Sequence, residues 1–249
     1  MIAHAGSSEL DRPAEGPLLR MRLLAHVHTR RSSDAWITPE QIIDYARRAQ
    51  IDAVIVSDHN THLGSVECGR VAGAEGPFVP VAAEYHSTAG DIIALFLTQP
   101  IHTRDPLGII TEAHAQGGLI LLPHPCRYSR LPDQVFEQCD LIETFNARTP
   151  DADNARAAEI AQALRKPVLA GADAHLRGEL GLAVNEFEVP AGWDWPRVLL
   201  AGKRSFTTAK TTVRGIRTCQ MIKACRSGRP ILLAKGMLAW AASRRAETV

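Results

Sequence analysis

Two pairs of residues with metal-binding side chains lie far apart in the sequence and have the same spacing. His26 and His28 end one apolar stretch, and Asp173 and His175 follow another. Side chains two residues apart in a β-strand lie on the same face of that strand, so each pair presents both groups in one direction. Two such pairs at strand ends suggest a single site to which distant parts of the chain contribute.

Four more residues of these types follow other short apolar stretches. Asp34 lies in the loop after the first stretch, His59 follows the second, Glu84 ends the third and His124 follows a later one. A lone His-x-His or His-Pro pair is also common in ordinary loops, but burying eight such side chains together without counter-ions would be costly. Imidazole and carboxylate groups suit Mn, Fe or Zn, and a carboxylate such as Glu84 can bridge two ions. The pattern therefore predicts a metal site.

The elements that must position these residues are short apolar strands separated by helices. Thr38-Pro39-Glu40-Gln41 is a capping box with proline at the first helical position, and further helices are predicted to begin near Asp105 and Asp153. The alternation predicts an α/β fold with a mainly parallel sheet, open or closed into a barrel. In α/β barrels the strand C-termini carry the functional residues. The predicted strands are Leu18–Val27, Ala53–Ser57, Phe78–Ala83, Asp91–Leu97, Leu119–Leu122, Leu141–Thr144 and Val168–Ala172.

The composition is that of an ordinary globular protein with one large domain. The 249 residues are 45% hydrophobic and 22% charged. The sequence has no dinucleotide-binding GxGxxG motif, no signal peptide and no apolar run near the roughly 20 residues that cross a membrane. The five cysteines form no C-x-x-C pair, which favours reduced thiols over disulfides or a cysteine zinc site. We therefore expect a cytoplasmic protein without membrane insertion; the sequence does not indicate its oligomeric state.

Positive charge is concentrated at the C-terminal end of the chain. Residues 203–249 contain eleven of the 28 Lys and Arg residues but one of the 27 acidic residues. Two helices are predicted there, over Thr211–Arg226 and Ile231–Arg245. The simplest interpretation is a pair of amphipathic helices docked on the main domain with a solvated basic face. The alternatives are contact with nucleic acid or with an acidic membrane surface.

Several motifs resemble those of the PHP (polymerase and histidinol phosphatase) domain family. The matching stretches are HVHTRRSSD, SDHNT, AAEYHSTAGDIIALFL, GGLILLPHP, IETFNAR and GADAHLRGELG, which together span roughly Arg20 to Val189. The resemblance implies a distorted (β/α)7 barrel that holds two to three divalent metal ions (Mn, Fe or Zn). Together with the composition of the chain ends, it predicts three regions: a flexible leader over residues 1–17, the barrel over residues 18–205 and a basic helical C-terminal extension over residues 206–249. The implied metal ligands are His26, His28, Asp34, His59, Glu84, His124, Asp173 and His175.

One position departs from the family pattern. Many members have a ninth ligand, a histidine, in the strand after the glutamate, and this chain has Asp91 there. His86 lies nearby in the sequence and could take its place. We take Asp91 as the ninth ligand, with His86 as the alternative.

The implied reaction is hydrolysis of a phosphate ester by a hydroxide that bridges two metals. Arg127 and Arg148, and less strongly Arg177, are candidates for binding the phosphate oxygens, since a guanidinium matches phosphate geometry. Arg127, Arg148 and His175 are therefore the predicted catalytic residues, and Glu143 and Asn146 are candidates for lining the pocket. The expected substrate is a small phosphomonoester or a nucleotide-like molecule. The alternatives are a nuclease that acts on short oligonucleotides and a metal-binding module without turnover.

Overall fold

The structure is a computed structural model that describes residues 17–127 and 130–228. It is an α/β fold in which strands and helices alternate along the chain. The strands are β1 (Leu18–Val27), β2 (Ala53–Val56), β3 (Ala82–His86), β4 (Asp91–Leu95), β5 (Leu119–Leu122), β6 (Leu141–Asn146), β7 (Val168–Ala174), β8 (Ala183–Pro190) and β9 (Lys203–Thr208). The helices are α1 (Pro39–Arg48), α2 (Leu63–Ala72), α3 (Pro106–Ala115), α4 (Asp133–Gln138), α5 (Asp151–Leu164), α6 (Trp195–Ala201) and α7 (Val213–Arg226).

Seven of the strands form a ring. Parallel pairs join β1 to β2, β5 to β6, β6 to β7 and β7 back to β1. Strand β4 lies antiparallel between β3 and β5. The ring is completed between β2 and β3 by parallel bridges that pair Ala53 with Phe78 and His59 with Glu84. This closure confirms the predicted α/β fold with a distorted barrel.

Two strands lie outside the ring and were not predicted. Strand β8 runs antiparallel to the first half of β1, from Leu18 opposite Pro190 to Leu23 opposite Asn185, and β9 pairs with the far side of β8. The second half of β1 leaves β8 and pairs with β7 instead. Strand β9 is polar and mostly exposed, so it lacks the apolar pattern by which the seven strands of the ring were recognised.

Local sequence explains where the helices begin. Thr38 accepts from the backbone of Gln41, whose side chain in turn accepts from the backbone of Thr38, as the capping box predicts. Asp105 and Thr212 cap α3 and α7 in the same way, by accepting from backbone N–H groups. The predicted helix Ile231–Arg245 and almost all of the predicted leader lie outside the described residues. Among the described helices, none combines the length and apolar character required to cross a bilayer.

The barrel interior is filled by side chains, so the site occupies one end of a packed core. Leu23, Ile55, Ile93, Leu121 and Leu169 are fully or almost fully buried inside the ring. A second layer lies between the strands and the surrounding helices. The inner layer therefore supports the site from below, as in other barrels of alternating strands and helices.

Candidate metal centre

All nine predicted ligand residues converge at one end of the barrel. His26 and His28 come from the end of β1, Asp34 from the following loop, and Asp173 and His175 from the end of β7. Asp91 is the first residue of β4, and because β4 runs against its neighbours, its start lies where their ends lie. His59 follows β2, Glu84 lies in β3 and His124 follows β5. The reversal of β4 explains why a residue at a strand start belongs to the cluster.

Backbone irregularities at three of these residues direct their side chains. His26, His124 and Asp173 have positive φ angles of 60°, 31° and 48°. The register of β1 against β2 shifts between Leu24 and Val27, so both of these residues pack in the outer layer although they are three positions apart. Such a bulge turns His26 inward, beside the site. Left-handed backbone of this kind is uncommon outside glycine and concentrates at functional sites.

Four potential ligand atoms lie near one another, and those of His26, His28 and Glu84 are all within 4.8 Å of each other. His26 Nε2 and His28 Nε2 lie 3.6 and 3.5 Å from Glu84 Oε2. The same two nitrogens lie 3.7 and 3.5 Å from Asp173 Oδ1. Tetrahedral ligands bound at about 2.1 Å would be about 3.4 Å apart. These residues could therefore hold a metal ion with little movement.

Two further groups of potential ligands adjoin the first. His124 Nε2 lies 3.3 Å from Glu84 Oε1, and Asp91 brings a carboxylate oxygen within 4.8 Å of both residues. On the opposite side, Asp34 Oδ1 lies 3.6 Å from His59 Nε2 and 3.5 Å from His175 Nε2. Glu84 thus faces the first and second groups with different oxygens, as a carboxylate that bridges two ions would.

Unpartnered polar atoms mark the same place. Among the described residues, nine buried side-chain nitrogen or oxygen atoms have no hydrogen-bond partner, and six of these belong to His26, His28, Asp34, His59 and Glu84. His59 Nδ1 is 2.9 Å from Glu84 Oε2, but it is not aligned for a hydrogen bond. Buried polar atoms are normally satisfied, so this concentration indicates that the residues fit divalent metal ions.

Supporting contacts turn the Nε2 atoms of the histidines toward the cluster. His26 Nδ1 donates to Glu143 Oε1 at 2.9 Å, and Glu143 Oε2 accepts from the backbone of His124 at 2.7 Å. His175 Nδ1 donates to the carbonyl of Asp173 at 2.8 Å. A Cβ at Gly171 would lie 1.5 Å from Glu143 Oε1, so glycine is required there. Contacts of this kind fix the orientation and tautomer of a metal-binding histidine.

Asp58 organises the first loop of the site. Its carboxylate accepts from the backbone and hydroxyl of both Thr29 and Ser32, and the Ser32 hydroxyl lies 3.2 Å from His28 Nδ1. The backbone N–H of His59 also donates to the Ser32 hydroxyl. No function is predicted for Asp58 from the sequence, although its position directly before His59 was the available signal.

Burial and mutual charge act in opposite directions in the cluster. Burial alone would raise the pKa of Glu84, but His26 and His59 hold the pKa of that carboxyl well below its ordinary value. Burial alone would lower the pKa of His59, but Glu84 raises it to about 9. For His28, burial together with His175 and His59 keeps the pKa well below its ordinary value. The low pKa values of Glu84 and His28 favour a carboxylate and a neutral imidazole, and both of these groups can bind a divalent cation.

The three predicted arginines have different surroundings. Arg127 lines the pocket above the cluster, with Nη1 3.9 Å from Asp173 Oδ2. Arg148 also lines it, but its Nη1 contacts both Glu179 oxygens at 3.3 and 3.2 Å. Arg177 is exposed and is not among the described residues that line the pocket. Arg127 is thus better placed than the other two to meet a substrate.

Helix α7, which was not predicted to take part in the site, forms part of the pocket wall. The pocket has a volume of about 440 Å³. Besides the cluster and the arginines, α7 contributes Ile216, Cys219, Gln220 and Lys223 to its lining. The N-terminal half of the C-terminal extension therefore lies against the site, and its basic side chains do not all face solvent.

Known proteins resemble this chain in sequence or in fold. A family described as PHP-associated (PHP_C) matches residues 151–193. The uncharacterized protein MJ1587 of Methanocaldococcus jannaschii is 33% identical over 143 residues, which are 51% of this chain and 82% of that protein. A two-domain Bacteroides vulgatus protein containing a predicted PHP-like metal-dependent phosphoesterase is 15% identical with a TM-score of 0.66, over 80% of this chain and 68% of that one. A Bifidobacterium adolescentis protein called a putative metal-dependent phosphoesterase is 15% identical with a TM-score of 0.52, over 67% of this chain and 90% of that one. With the motifs and the closed barrel, these likenesses show that the chain belongs to the PHP domain family.

Proposed function

We propose that this protein is a metal-dependent phosphoesterase that hydrolyses small phosphate esters. The observation that carries the proposal is the concentration of unpartnered buried nitrogen and oxygen atoms at spacings that suit metal ions. His26, His28, Glu84 and Asp173 would hold one ion, Glu84, Asp91 and His124 a second, and Asp34, His59 and His175 a third. When bound, the ions would supply nucleophilic water near neutral pH and counter-charge for the phosphoryl oxygens.

The remaining residues of the pocket bind and orient the substrate in this proposal. Arg127 faces the cluster from the loop after β5, where its guanidinium can donate to phosphoryl oxygens. Arg148 lies on the same side, but its contact with Glu179 limits how far it can turn toward a ligand. Glu143, Asp58 and Ser32 hold histidines in place and do not reach the pocket themselves. The pocket volume of about 440 Å³ suits a small molecule.

Removal of single ligands tests the proposal. We expect His26→Ala and Asp173→Ala each to lower kcat at least about a thousandfold, roughly 4 kcal/mol of barrier, because both remove ligands of the first proposed ion. The measurement is steady-state kinetics on a panel of phosphomonoesters, amides and lactones, with folding checked by circular dichroism. His102→Ala is the matched control, because His102 is an exposed histidine away from the pocket.

The outcomes separate the metal site from the reaction. Near wild-type kcat in folded His26→Ala or Asp173→Ala protein would contradict the proposed site. A wild type that is inactive on every phosphoester but hydrolyses an amide or a lactone would retain the site and exclude the proposed substrate class.

A further inference from the structure

Helix α7 is tied to the loops of the site at its N-terminal end. The backbone of Thr211 donates to the carbonyl of Ala147 at 3.0 Å, and its hydroxyl donates to Glu179. The other carboxylate oxygen of Glu179 accepts from the backbone of His175 at 2.9 Å. One end of α7 is thus joined through a buried carboxylate to the loop that carries a candidate ligand.

The C-terminal end of α7 holds the loop after β1. Arg226 Nη1 lies 3.1, 2.8 and 3.2 Å from the carbonyl oxygens of Arg30, Ser32 and Ala35. Its guanidinium also lies over the ring of Trp36, 5.0 Å from the centroid. Three carbonyls directed at one guanidinium nitrogen fix the path of this loop, and Asp34 lies within it.

A second cation from α7 contacts Asp34 directly. Lys223 Nζ lies 3.2 Å from Asp34 Oδ2. The other oxygen, Asp34 Oδ1, is buried, has no hydrogen-bond partner and faces His59 Nε2 and His175 Nε2. Lys223 therefore occupies one carboxylate oxygen and leaves the other directed at the third metal position.

We propose that Lys223 and Arg226 are positioning residues for the third metal ion. They are three residues apart on α7, so their side chains lie on neighbouring parts of one helix face. Arg226 fixes the loop backbone, and Lys223 fixes the rotation of the Asp34 carboxylate. The third position thus depends on a helix that lies outside the barrel. The inference rests on the proposed function only in requiring that the cluster bind metal.

Metal binding to the whole chain tests this inference. Arg226→Ala, Lys223→Met and Lys223→Arg would each be compared with Asp34→Ala, which removes the ligand itself. Lys203→Met is the control, because it removes one positive charge from an exposed ion pair with Glu188. Each protein is loaded with Mn²⁺ or Zn²⁺, its metal content is measured by elemental analysis, and the weakest site is titrated against a chelator.

We expect Arg226→Ala and Lys223→Met to weaken one metal position about 10- to 100-fold and to leave the others unchanged. Simple charge repulsion predicts the opposite sign, because removing a cation beside a metal site should strengthen cation binding. Lys223→Arg should retain the metal binding that Lys223→Met loses, since it keeps a donor for Asp34 Oδ2. The Co²⁺ absorption spectrum should show the same loss in Arg226→Ala, Lys223→Met and Asp34→Ala.

Other outcomes would overturn the inference. Unchanged or tighter binding in folded Arg226→Ala and Lys223→Met would show that α7 only docks on the barrel. A loss of all positions together with a lower Tm would show a general structural effect. A wild type that binds three ions but hydrolyses no phosphoester would contradict the proposed function and leave this inference standing, so the two failures can be distinguished.

Discussion

Asp91 and His86, which are neighbours in the fold, are the two candidates for the ninth metal ligand. They are opposite each other on β4 and β3, and His86 Nδ1 lies 2.5 Å from Asp91 Oδ1. Asp91 is the member of the pair that comes close to both Glu84 and His124. We therefore propose that Asp91 is the ligand and that His86 orients it, in the manner of paired carboxylate and histidine groups around metals.

This assignment predicts a difference between two alanine variants. Asp91→Ala should lose about one metal equivalent from the second position, because the ligand itself is gone. His86→Ala should keep the full metal content and weaken that position about 10- to 100-fold, because an orienting partner is gone. Elemental analysis and chelator titration measure the two effects. A lost equivalent in His86→Ala with full content in Asp91→Ala would reverse the assignment.

Residue types and spacing predicted which side chains would meet, but not what supports them. Nine candidate ligands could be named because each lies at a strand end or in a loop beside one, within motifs of known order. Lys223 and Arg226 could not be named, since their partners lie 189 to 196 residues away and no local pattern links them. Arg148 could be placed at the pocket, but its pairing with Glu179 depends on a tertiary contact.

At the scale of elements, the predicted strand bounds are most accurate where the apolar runs are unbroken. Strands β1 and β5 have the predicted bounds, whereas β3 begins at Ala82 and not at Phe78. Phe78 does bridge to Ala53, but Pro80 has no N–H group and interrupts the ladder between the two segments. Polar strands such as β9 depend on pairing with a neighbour, which a single sequence does not display.

One contact between elements predicts a pH dependence of stability. His114 in the last turn of α3 donates to Asp140 Oδ2 at 2.8 Å, and the same oxygen accepts from the backbone of Ile120 in β5. The hydrogen bond to Asp140 raises the pKa of His114 above its ordinary value of 6.5. The contribution of protonated His114 to the free energy of unfolding is therefore complete below about pH 6.5 and is lost as pH rises through the folded-state pKa of His114.

We expect His114→Gln to lower the free energy of unfolding by up to about 1 kcal/mol at pH 6, because the pair is partly exposed. At pH 9.5 the difference from the wild type should be much smaller. Urea unfolding in a chelator-containing buffer measures both values. A difference that grows with pH would contradict the assigned charge state of His114.

At the scale of the whole molecule, acidic and basic residues are separated along the chain but form contacts in the fold. The described part of the basic extension places Lys223 beside Asp34 and Lys210 beside Asp151. Part of its charge is thus neutralised by the acidic barrel. This arrangement is the one that the docked-helix interpretation predicts for α7, whereas the second predicted helix lies outside the described residues.

Substrate length provides the test of that interpretation. We expect kcat/KM to stay level or fall from a mononucleotide to longer single-stranded oligonucleotides, because α7 lines the pocket. Binding of an oligonucleotide should depend on salt with a log–log slope no steeper than about −0.7, the value for one neutralised phosphate. Steady-state kinetics and binding titrations at several salt concentrations measure both. A kcat/KM that rises with length and a steep slope would favour the nuclease alternative.

The central place of β1 has a consequence for how the protein is made. This strand is synthesised before the other described strands, yet its neighbours β7 and β8 are formed by residues 168–190, and Arg226 contacts the loop after it later still. At about 5–20 residues per second, roughly ten to forty seconds separate the synthesis of His28 from that of Arg226. Until β7 and β8 have been synthesised, the first strand has β2 as a partner but lacks its other two neighbours and the ligands Asp173 and His175. The proposed metal positions that include Asp173 or His175 can therefore be completed only after β7 has been synthesised, and until then the nascent apolar strand is exposed to aggregation.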